Sequence, residues 1–389
     1  MHSSTKNISS QNGPATTAMS SPRVLIAAGG TGGHVYPAIA IADALKEAKP
    51  DTEILFVGTK DHIEWEAVPK AGYDIKSIWI SGFHRRFTLK NILFPVKLGS
   101  SIVQSWGIIS QFEPDAVISC GGFASGPVGW VAAKKDIPLL LQEQNSFPGV
   151  TTRLLARYAK KIFTAFKNAD KHLPTEKTEL AGNPTRKNLT EADREQAYSE
   201  FNFTKEKNTL LVLGGSGGAK TINEAMASNI KKLHNDFDLQ IIWQCGSRYF
   251  DELHMRLHTD DYENLRLVDF LHNMPEAYAV ADLVISRAGA LSCSELALTG
   301  KPSILIPSPN VAGDHQTQNA RSMVEEGAAE LLEDNEAEDT ISQLVEQLVF
   351  DQQNLNKMQQ AALKLARPDA AEVIAKEVLE IATEQVNLN

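Results

Sequence analysis

The sequence predicts an α/β protein made of two doubly wound parallel-sheet domains, a pair of Rossmann-like units that face a cleft. Two glycine-rich turns each follow an apolar strand and precede a helix, at 24–34 (VLIAAGGTGGH) and 210–220 (LLVLGGSGGAK). Strand-like and helical segments alternate through both halves, which is typical of parallel sheets. The length of 389 residues exceeds what one core usually organises. Two similar domains are therefore expected.

The first half contains short apolar runs separated by helical patterns. These runs predict strands at 24–28, 53–57, 115–119, 138–142 and 161–164. The segment 39–48 (IAIADALKEA) has an apolar stripe of helical period and predicts a helix after the first turn.

The second half repeats this scheme. Its apolar runs predict strands at 209–213, 239–243, 265–268, 282–286, 303–306 and 328–332. Helices fit between them, including 219–231 and 293–300. From about residue 338 the sequence is rich in Ala, Glu, Leu and Gln, which predicts final helices. One arrangement left open is that these helices cross back to the first domain.

The predicted organisation has four parts. Residues 1–22 are polar and small, without an apolar core segment, and are expected to form a disordered leader rather than a secretory signal. Residues 23–185 form the first domain and residues 186–370 the second, with the turn-forming GNPTR motif at the passage between them. Residues 371–389 form a C-terminal helix or tail.

Composition excludes several classes of protein. The formal net charge of −10 argues against general nucleic-acid binding, so no nucleic-acid partner is expected. The three cysteines are far apart and match no metal-ligand or redox spacing. No run of 18 apolar residues is present, so no membrane-spanning helix is expected.

The first glycine-rich turn predicts an anion or sugar site. Thr31, Gly32 and Gly33 offer N–H groups and a hydroxyl at a helix N-terminus. Val35 replaces the last glycine of the dinucleotide fingerprint, so a nicotinamide enzyme is not expected. The adjacent His34 lies where the helix dipole favours a neutral imidazole, which suits a general base or a donor to substrate. A tight structural turn, and a capping or packing role for His34, remain the alternatives.

The second turn, GGSGGAKT, nearly matches a phosphate-binding loop of nucleotide triphosphatases. Ala219 stands where that motif requires glycine, and no clear strand-terminal Asp for Mg²⁺ follows. A diphosphate-binding loop with Ser216 on phosphate is therefore favoured over a triphosphatase.

Three further segments have polar residues at predicted strand or helix ends. The turn SCGGFASGP at 119–127 offers amides for an anion, or else lets a helix pack closely. In SRAGALSCSE, Glu295 lies one turn into a helix, where it either binds two ribose hydroxyls or complements the helix dipole. In the loop at 307–320, His315 and Gln316 suit sugar hydroxyls, unless the loop is simply exposed.

The segment 78–97 mixes aromatic and aliphatic residues with Arg85, Arg86, Lys90 and Lys97. Apolar residues beside basic ones suit adsorption to an anionic membrane surface. Internal packing of the segment is the alternative.

These motifs together resemble the GT-B glycosyltransferases that use UDP-sugars. More narrowly, GGTGGHVYPAIAIADAL, SCGGFASGP, QEQNSFPG, AGNPTR, LGGSGGAKTIN and RAGALSCSE are similar to the bacterial family that forms lipid II. The resemblance runs in order from about residue 23 to residue 370. It implies an inverting hexosyltransferase that moves GlcNAc from UDP-GlcNAc to the 4-hydroxyl of MurNAc in lipid I, the undecaprenyl-linked acceptor. It also implies peptidoglycan synthesis at the cytoplasmic face of the inner membrane, where the protein would be peripheral.

The resemblance assigns roles to residues at the matching positions. Thr31, Gly32 and Gly33 would contact the diphosphate of either the donor or the acceptor. Asn145 and Arg186 would belong to the donor site, and Ser216 would contact the UDP phosphates. The uridine would lie against Leu271, Ala290, Leu291, Ser292, Cys293, Ser294 and Glu295. Gln316 would reach the GlcNAc hydroxyls, and Gly217 departs from the Gln that many members carry.

His34 is the candidate base on the acceptor hydroxyl, and helix N-termini would stabilise departing UDP. No Asp-x-Asp pair follows a strand in the second half, so no metal and no cofactor are expected. Two alternatives remain: a UDP-GlcNAc epimerase of the same fold, and a non-catalytic UDP-sugar-binding protein.

Overall fold

A computed structural model describes residues 21–82, 93–215 and 217–388. Residues 1–20 of the expected leader lie outside this described part, as does Ser216. Arg85, Arg86 and Lys90 of the expected membrane segment also lie outside it.

The first half of the chain forms a parallel sheet, with the strand order β3-β2-β1-β4-β5-β6-β7 in the described residues. The strands are β1 Arg23–Ala27, β2 Glu53–Gly58, β3 Asp74–Ser77, β4 Ala116–Ser119, β5 Leu139–Glu143, β6 Lys161–Thr164 and β7 Thr178–Leu180. The helices between them are α1 Gly32–Ala48, α2 Glu64–Lys70, α3 Phe94–Phe112, α4 Ser125–Lys134 and α5 Val150–Leu155.

The second half forms another parallel sheet, ordered β10-β9-β8-β11-β12-β13. Its strands are β8 Thr209–Leu213, β9 Gln240–Gln244, β10 Leu265–Val268, β11 Leu283–Ser286, β12 Ser303–Leu305 and β13 Ala329–Leu331. Its helices are α6 Arg194–Phe201, α7 Lys220–Lys231, α8 Ser247–Leu257, α9 Met274–Val280, α10 Ala290–Leu298, α11 His315–Glu325, α12 Ala337–Val349 and α13 Gln352–Leu365, and α14 Ala370–Leu388 ends the described chain. The predicted pair of doubly wound parallel sheets is confirmed.

Successive residues of the central strands face opposite sides of each sheet, so both faces are apolar. In β1, Val24 and Ile26 belong to one buried cluster and Leu25 belongs to another. In β8, Leu210 and Leu211 are divided in the same way. Burial on both faces explains why these strands read as continuous apolar runs.

Helix α14 packs against the first half rather than the second. Ile374 and Val378 share a buried cluster with Ile41 and Leu45 of α1. Lys160 also pairs with Glu384, with 3.1 Å between Nζ and Oε2. The end of the chain therefore joins the two halves physically.

The strand order of each sheet reverses direction at one place. In the first sheet this switch point lies between β1 and β4, and in the second between β8 and β11. Loops leaving neighbouring strands at a switch point diverge and leave a crevice at the carboxyl ends. The turns that start at residues 28, 120, 214 and 287 all lie at these crevices.

Candidate functional site

Side-chain hydrogen bonds between the two halves show that the two crevices face one another. Asn319 of α11 accepts a hydrogen bond from the N–H of Ser146 at 2.9 Å. Its amide nitrogen donates to the side-chain oxygen of Asn145 at 3.3 Å. Asn168 also donates to the hydroxyl of Ser322 at 3.0 Å. The candidate site is therefore the cleft between the two sheets.

A buried carboxylate holds the first glycine-rich turn in place. Glu64, in the first turn of α2, has no solvent exposure. It accepts from the N–H of Gly30 at 3.1 Å and from both the N–H and the hydroxyl of Thr59, at 3.0 and 2.7 Å. Beyond Gly30, Gly32 and Gly33 begin α1, where the first N–H groups have no partner within the helix. Thr31 precedes them and is exposed.

His34 is half-buried beside the SCGGFASGP turn at 119–127. Its Nδ1 lies 2.9 Å from Oε1 of Gln144, at the end of β5. A Cβ on Gly121 would lie only 2.7 Å from that same Nδ1. Gly121 is therefore required by the space that the imidazole occupies, as well as by its φ of +89°. The SCGGFASGP turn thus contributes to the surroundings of His34.

Glu295 lies in α10 at the second sheet's switch point, with Tyr278 behind it. The hydroxyl of the fully buried Tyr278 donates to Oε2 of Glu295 at 3.2 Å. Burial raises the pKa of Glu295, while the positive charge of Arg186 and the Tyr278 hydrogen bond act in the opposite direction. Burial raises the pKa of Tyr278 well above its ordinary value, and the nearby Glu295 raises it further. The Tyr278 hydroxyl therefore keeps its proton and remains a hydrogen-bond donor.

A side-chain hydrogen bond from β9 holds the second glycine-rich turn in place. The amide nitrogen of Gln244 donates to the carbonyl of Gly215 at 3.2 Å. Asp334 accepts from the hydroxyl of Thr221 at 2.9 Å and also pairs with Arg287. These contacts hold the start of α7 beside the loop that follows β11. An anion at this place would meet the N-termini of two helices, α7 and α10.

Several predicted site residues have side chains that are already engaged or buried. The amide of Asn145 donates to Glu143 at 3.2 Å, and Oε1 of Gln316 accepts from the N–H of Ser308 at 2.8 Å. Leu271 and Cys293 lie in the apolar core. A nucleotide here would meet the backbone at positions 271 and 293, whereas Ala290, Leu291, Ser292 and Ser294 are partly exposed.

The sequence interpretation missed four polar residues that organise the cleft. These are Glu64, Gln142, Asn183 and Asn319, all of them buried. Gln142, Asn183 and Asn319 occur inside segments already singled out. For Gln142, an amide side chain near the end of an otherwise apolar strand is a usable signal. Glu64 has no such signal, because the N–H of Gly30 is brought to it only by the fold.

The second glycine-rich turn contains two neighbouring glycines whose replacement by alanine should affect stability differently. A Cβ on Gly218 would lie 2.1 Å from the carbonyl oxygen of Cys245, and its φ is +73°, whereas a Cβ on Gly217 would meet nothing within 4 Å. We expect Gly218→Ala to lower the free energy of unfolding by about 1–3 kcal/mol. Gly217→Ala should leave it unchanged or raise it slightly. Urea unfolding of both variants measures this, and equal losses would contradict the geometry.

A surface of the first half combines exposed tryptophans with lysines. We call it the basic–aromatic surface, and its members are Trp79, Lys97, Trp106, Trp130, Lys134 and Lys135. The lysine ammonium groups lie 4.8–5.8 Å from the indole ring centres. Trp79 and Trp106 are 49% and 45% exposed, and Val103, in the same helix as Trp106, is 72% exposed. Among the helices of the described ranges, none has the length and apolar character needed to cross a bilayer.

Comparison with known proteins agrees with this architecture. Residues 24–164 match the glycosyltransferase family 28 N-terminal domain, and residues 209–374 match the family 28 C-terminal domain. A UDP-N-acetylglucosamine--N-acetylmuramyl-(pentapeptide) pyrophosphoryl-undecaprenol N-acetylglucosamine transferase of Christiangramia forsetii is 46% identical over 94% of this chain and 99% of its own length. The protein with the same name from Salinibacter ruber is 44% identical over 93% of this chain and 97% of its own.

Solved structures give the same answer at the level of the fold. The crystal structure of Acinetobacter baumannii MurG matches with a TM-score of 0.75 and 29% identity, covering 92% of this chain and 99% of that one. A UDP-N-acetylglucosamine 2-epimerase matches with a TM-score of 0.66 at 17% identity, covering 93% and 96% of the two chains, which shows a shared fold alone. The chain belongs to glycosyltransferase family 28 and, within it, to the UDP-N-acetylglucosamine--N-acetylmuramyl-(pentapeptide) pyrophosphoryl-undecaprenol N-acetylglucosamine transferases.

Proposed function

We propose that this chain transfers GlcNAc from UDP-GlcNAc to the 4-hydroxyl of MurNAc in lipid I, giving lipid II and UDP. The 4-hydroxyl oxygen bonds to C1 of GlcNAc as the bond from C1 to the diphosphate oxygen breaks. The hydroxyl proton goes to His34, and the electron pair of the broken bond leaves with UDP. Attack opposite the leaving group converts the α-linked donor into a β-(1→4) product.

Each half of the cleft has its own role in this proposal. Glu295 accepts hydrogen bonds from the ribose hydroxyls, and Gln316 contacts the GlcNAc hydroxyls. The N-termini of α7 and α10, with Ser216, stabilise the charge that develops on the diphosphate. His34 and the turn at Thr31, Gly32 and Gly33 serve the acceptor.

One observation carries the proposal. His34 and Glu295 lie on opposite halves of one cleft, in a chain related along 92–94% of its length to enzymes of this name. A base on one domain and a ribose-binding carboxylate on the other is the arrangement that transfer between two separately bound substrates needs.

A single assay distinguishes this function from its two alternatives. The protein is incubated with UDP-GlcNAc, with and without a lipid I analogue, and UDP and sugar products are followed. Transfer requires the acceptor and releases UDP together with a disaccharide product. Conversion of UDP-GlcNAc without acceptor would indicate an epimerase, and saturable binding without turnover would indicate a binding protein.

We expect the transfer to be independent of divalent metal ions. The proposed stabilisation of UDP comes from helix N-termini and a hydroxyl, which need no ion to form. EDTA should therefore leave kcat nearly unchanged in the same assay. Loss of activity with EDTA and its return with Mg²⁺ or Mn²⁺ would contradict this expectation.

We further propose that the basic–aromatic surface adsorbs to anionic lipid, as a peripheral contact with the cytoplasmic face of the inner membrane. The acceptor is anchored in the membrane by its lipid, so the acceptor-binding half must reach the bilayer surface. Exposed Trp side chains and neighbouring lysines favour the interfacial region of an anionic membrane.

Replacing both Lys134 and Lys135 with serine should weaken binding to anionic vesicles by about 1 kcal/mol per charge, or about 30-fold in all. Vesicle sedimentation at low salt measures the loss. The control is Lys231→Ser with Lys232→Ser, an adjacent lysine pair on the second half in which Lys232 also contacts an aromatic ring. Equal losses in the two double variants would indicate a general charge effect and refute the surface.

A further inference from the structure

A row of buried side-chain amides connects the two halves of the cleft. Oε1 of Gln144 faces His34, and the Gln144 amide nitrogen donates to Oε1 of Gln142. The nitrogen of Gln142 donates to Oδ1 of Asn183 at 3.0 Å. Asn183 then donates to the hydroxyl of Ser294, in α10, at 3.0 Å. Gln142, Gln144 and Asn183 are at most 2% exposed.

Backbone carbonyls fix the direction of this row at both ends, because a carbonyl oxygen only accepts. At one end, the Gln144 nitrogen donates to the carbonyl of Cys120 at 2.7 Å. At the other end, the Asn183 nitrogen donates to the carbonyl of Gln144 at 3.1 Å. Ser294 donates to the carbonyl of Ala290 at 3.0 Å, so its oxygen is left to accept from Asn183.

Gln142 satisfies both neighbours in one orientation only. Asn183 presents an oxygen to it and Gln144 presents a nitrogen, so the Gln142 nitrogen must face Asn183. Turning the amide of Gln144 would place its oxygen against the oxygens of Cys120 and Gln142. Unpaired or repelling polar groups are strongly unfavourable when they are buried, so the reversed row is disfavoured.

This direction determines which ring nitrogen of His34 carries the proton. An amide oxygen accepts and cannot donate, so Nδ1 of His34 must be the N–H that faces Gln144. The neutral ring then has its lone pair on Nε2. We propose that Gln144 is a positioning residue that fixes His34 as the Nδ1–H tautomer, with Gln142 and Asn183 holding Gln144 in that direction.

The inference deepens the proposed function and rests on it, because a base needs a free lone pair toward its substrate. A tautomer with the proton on Nε2 would present a donor to the acceptor hydroxyl and could not take its proton. Loss of the group that fixes a catalytic histidine's tautomer lowers kcat by orders of magnitude in enzymes where it has been tested.

The direct test is the nitrogen spectrum of His34 in the full chain. Histidine is labelled with ¹⁵N, and two-bond ¹H–¹⁵N correlations are recorded in mildly alkaline buffer, where an ordinary imidazole is neutral. The chain has ten histidines, and the signals absent from His34→Ala identify this one. We expect a pyrrole-type signal from Nδ1, which carries the proton, and a pyridine-type signal from Nε2, which has the lone pair. The reverse pattern in the parent protein would by itself overturn the proposal.

A pair of variants tests the role of Gln144. Gln144→Met removes the acceptor at similar volume, and we expect a mixture of both tautomers with kcat lower by about tenfold or more. The control is Gln240→Met, because Gln240 is an equally buried amide that donates to the carbonyl of Thr204 at 2.9 Å, in the second half. Gln240→Met should lower stability while leaving the His34 spectrum and kcat unchanged.

The outcomes separate this inference from the proposed function. An unchanged tautomer in Gln144→Met would refute the positioning role even if His34 is the base. The expected tautomer in the parent, lost in Gln144→Met, together with a fully active His34→Ala would support the amide row and refute the base.

Discussion

The His34→Ala enzyme should turn over lipid I about 10²- to 10⁴-fold more slowly than the parent, because general-base catalysis typically contributes that factor. Affinity for UDP-GlcNAc should stay nearly constant, since the proposed donor contacts lie mainly on the second half. Steady-state kinetics with each substrate varied in turn measures both quantities.

The control for this variant is His234→Ala. His234 is also half-buried, and its Nδ1 lies 2.7 Å from the side-chain oxygen of Asn235, but it is on the second half near Tyr262.

If His34 only orients the acceptor diphosphate, the acceptor KM should rise while kcat largely survives. Normal values of both parameters in His34→Ala would remove His34 from the site altogether.

Glu295→Ala should raise the KM for UDP-GlcNAc by about 30- to 150-fold. Losing charge-assisted hydrogen bonds to the two ribose hydroxyls costs on the order of 2–3 kcal/mol. The control is Glu338→Ala, an acidic residue in the first turn of α12 that accepts from Ser228 at 2.6 Å. If Glu295 only complemented a helix dipole, both variants would lose stability alike and leave donor affinity intact.

The same carboxylate has a predictable effect on stability. Burial raises the pKa of Glu295, so the native state resists its ionisation. The ionised group then destabilises the fold above its raised pKa, and this cost disappears as the pH falls below the unfolded value. Glu295→Gln should therefore melt at a higher temperature than the parent at neutral pH, with a difference that shrinks on acidification. A variant less stable than the parent at neutral pH would contradict this sign.

The regular elements could be predicted from the sequence because burial on both faces leaves a strong local signal. All of the predicted strands are present, each within one residue of its predicted ends. The strands β3 and β7 were not predicted. They lie at the two edges of the first sheet, and their sequences DIKS and TEL alternate weakly or are too short to show a period.

The position of part of the candidate site could also be predicted, since its glycine-rich turns lie where buried strands end. The positions of His34 and Glu295 follow from this rule, because carboxyl ends of parallel strands meet at one edge. The engagement of Asn145 and the burial of Leu271 and Cys293 could not be predicted. Which face of a turn or helix meets solvent depends on what packs against it.

The two sheets, their glycine-rich turns and the family to which the chain belongs can all be derived from the amino-acid sequence alone. Those features depend on apolar periodicity and on backbone conformations that only glycine adopts easily, both of which are local. By contrast, only the folded chain shows that Glu64 holds the turn before His34 and that three amides run from Gln144 to α10. The hydrogen bond between residues 34 and 144 forms only when the first sheet brings the start of α1 beside the end of β5, and the bond between residues 183 and 294 forms only when the two halves pack together. Neither bond leaves a local pattern in the sequence.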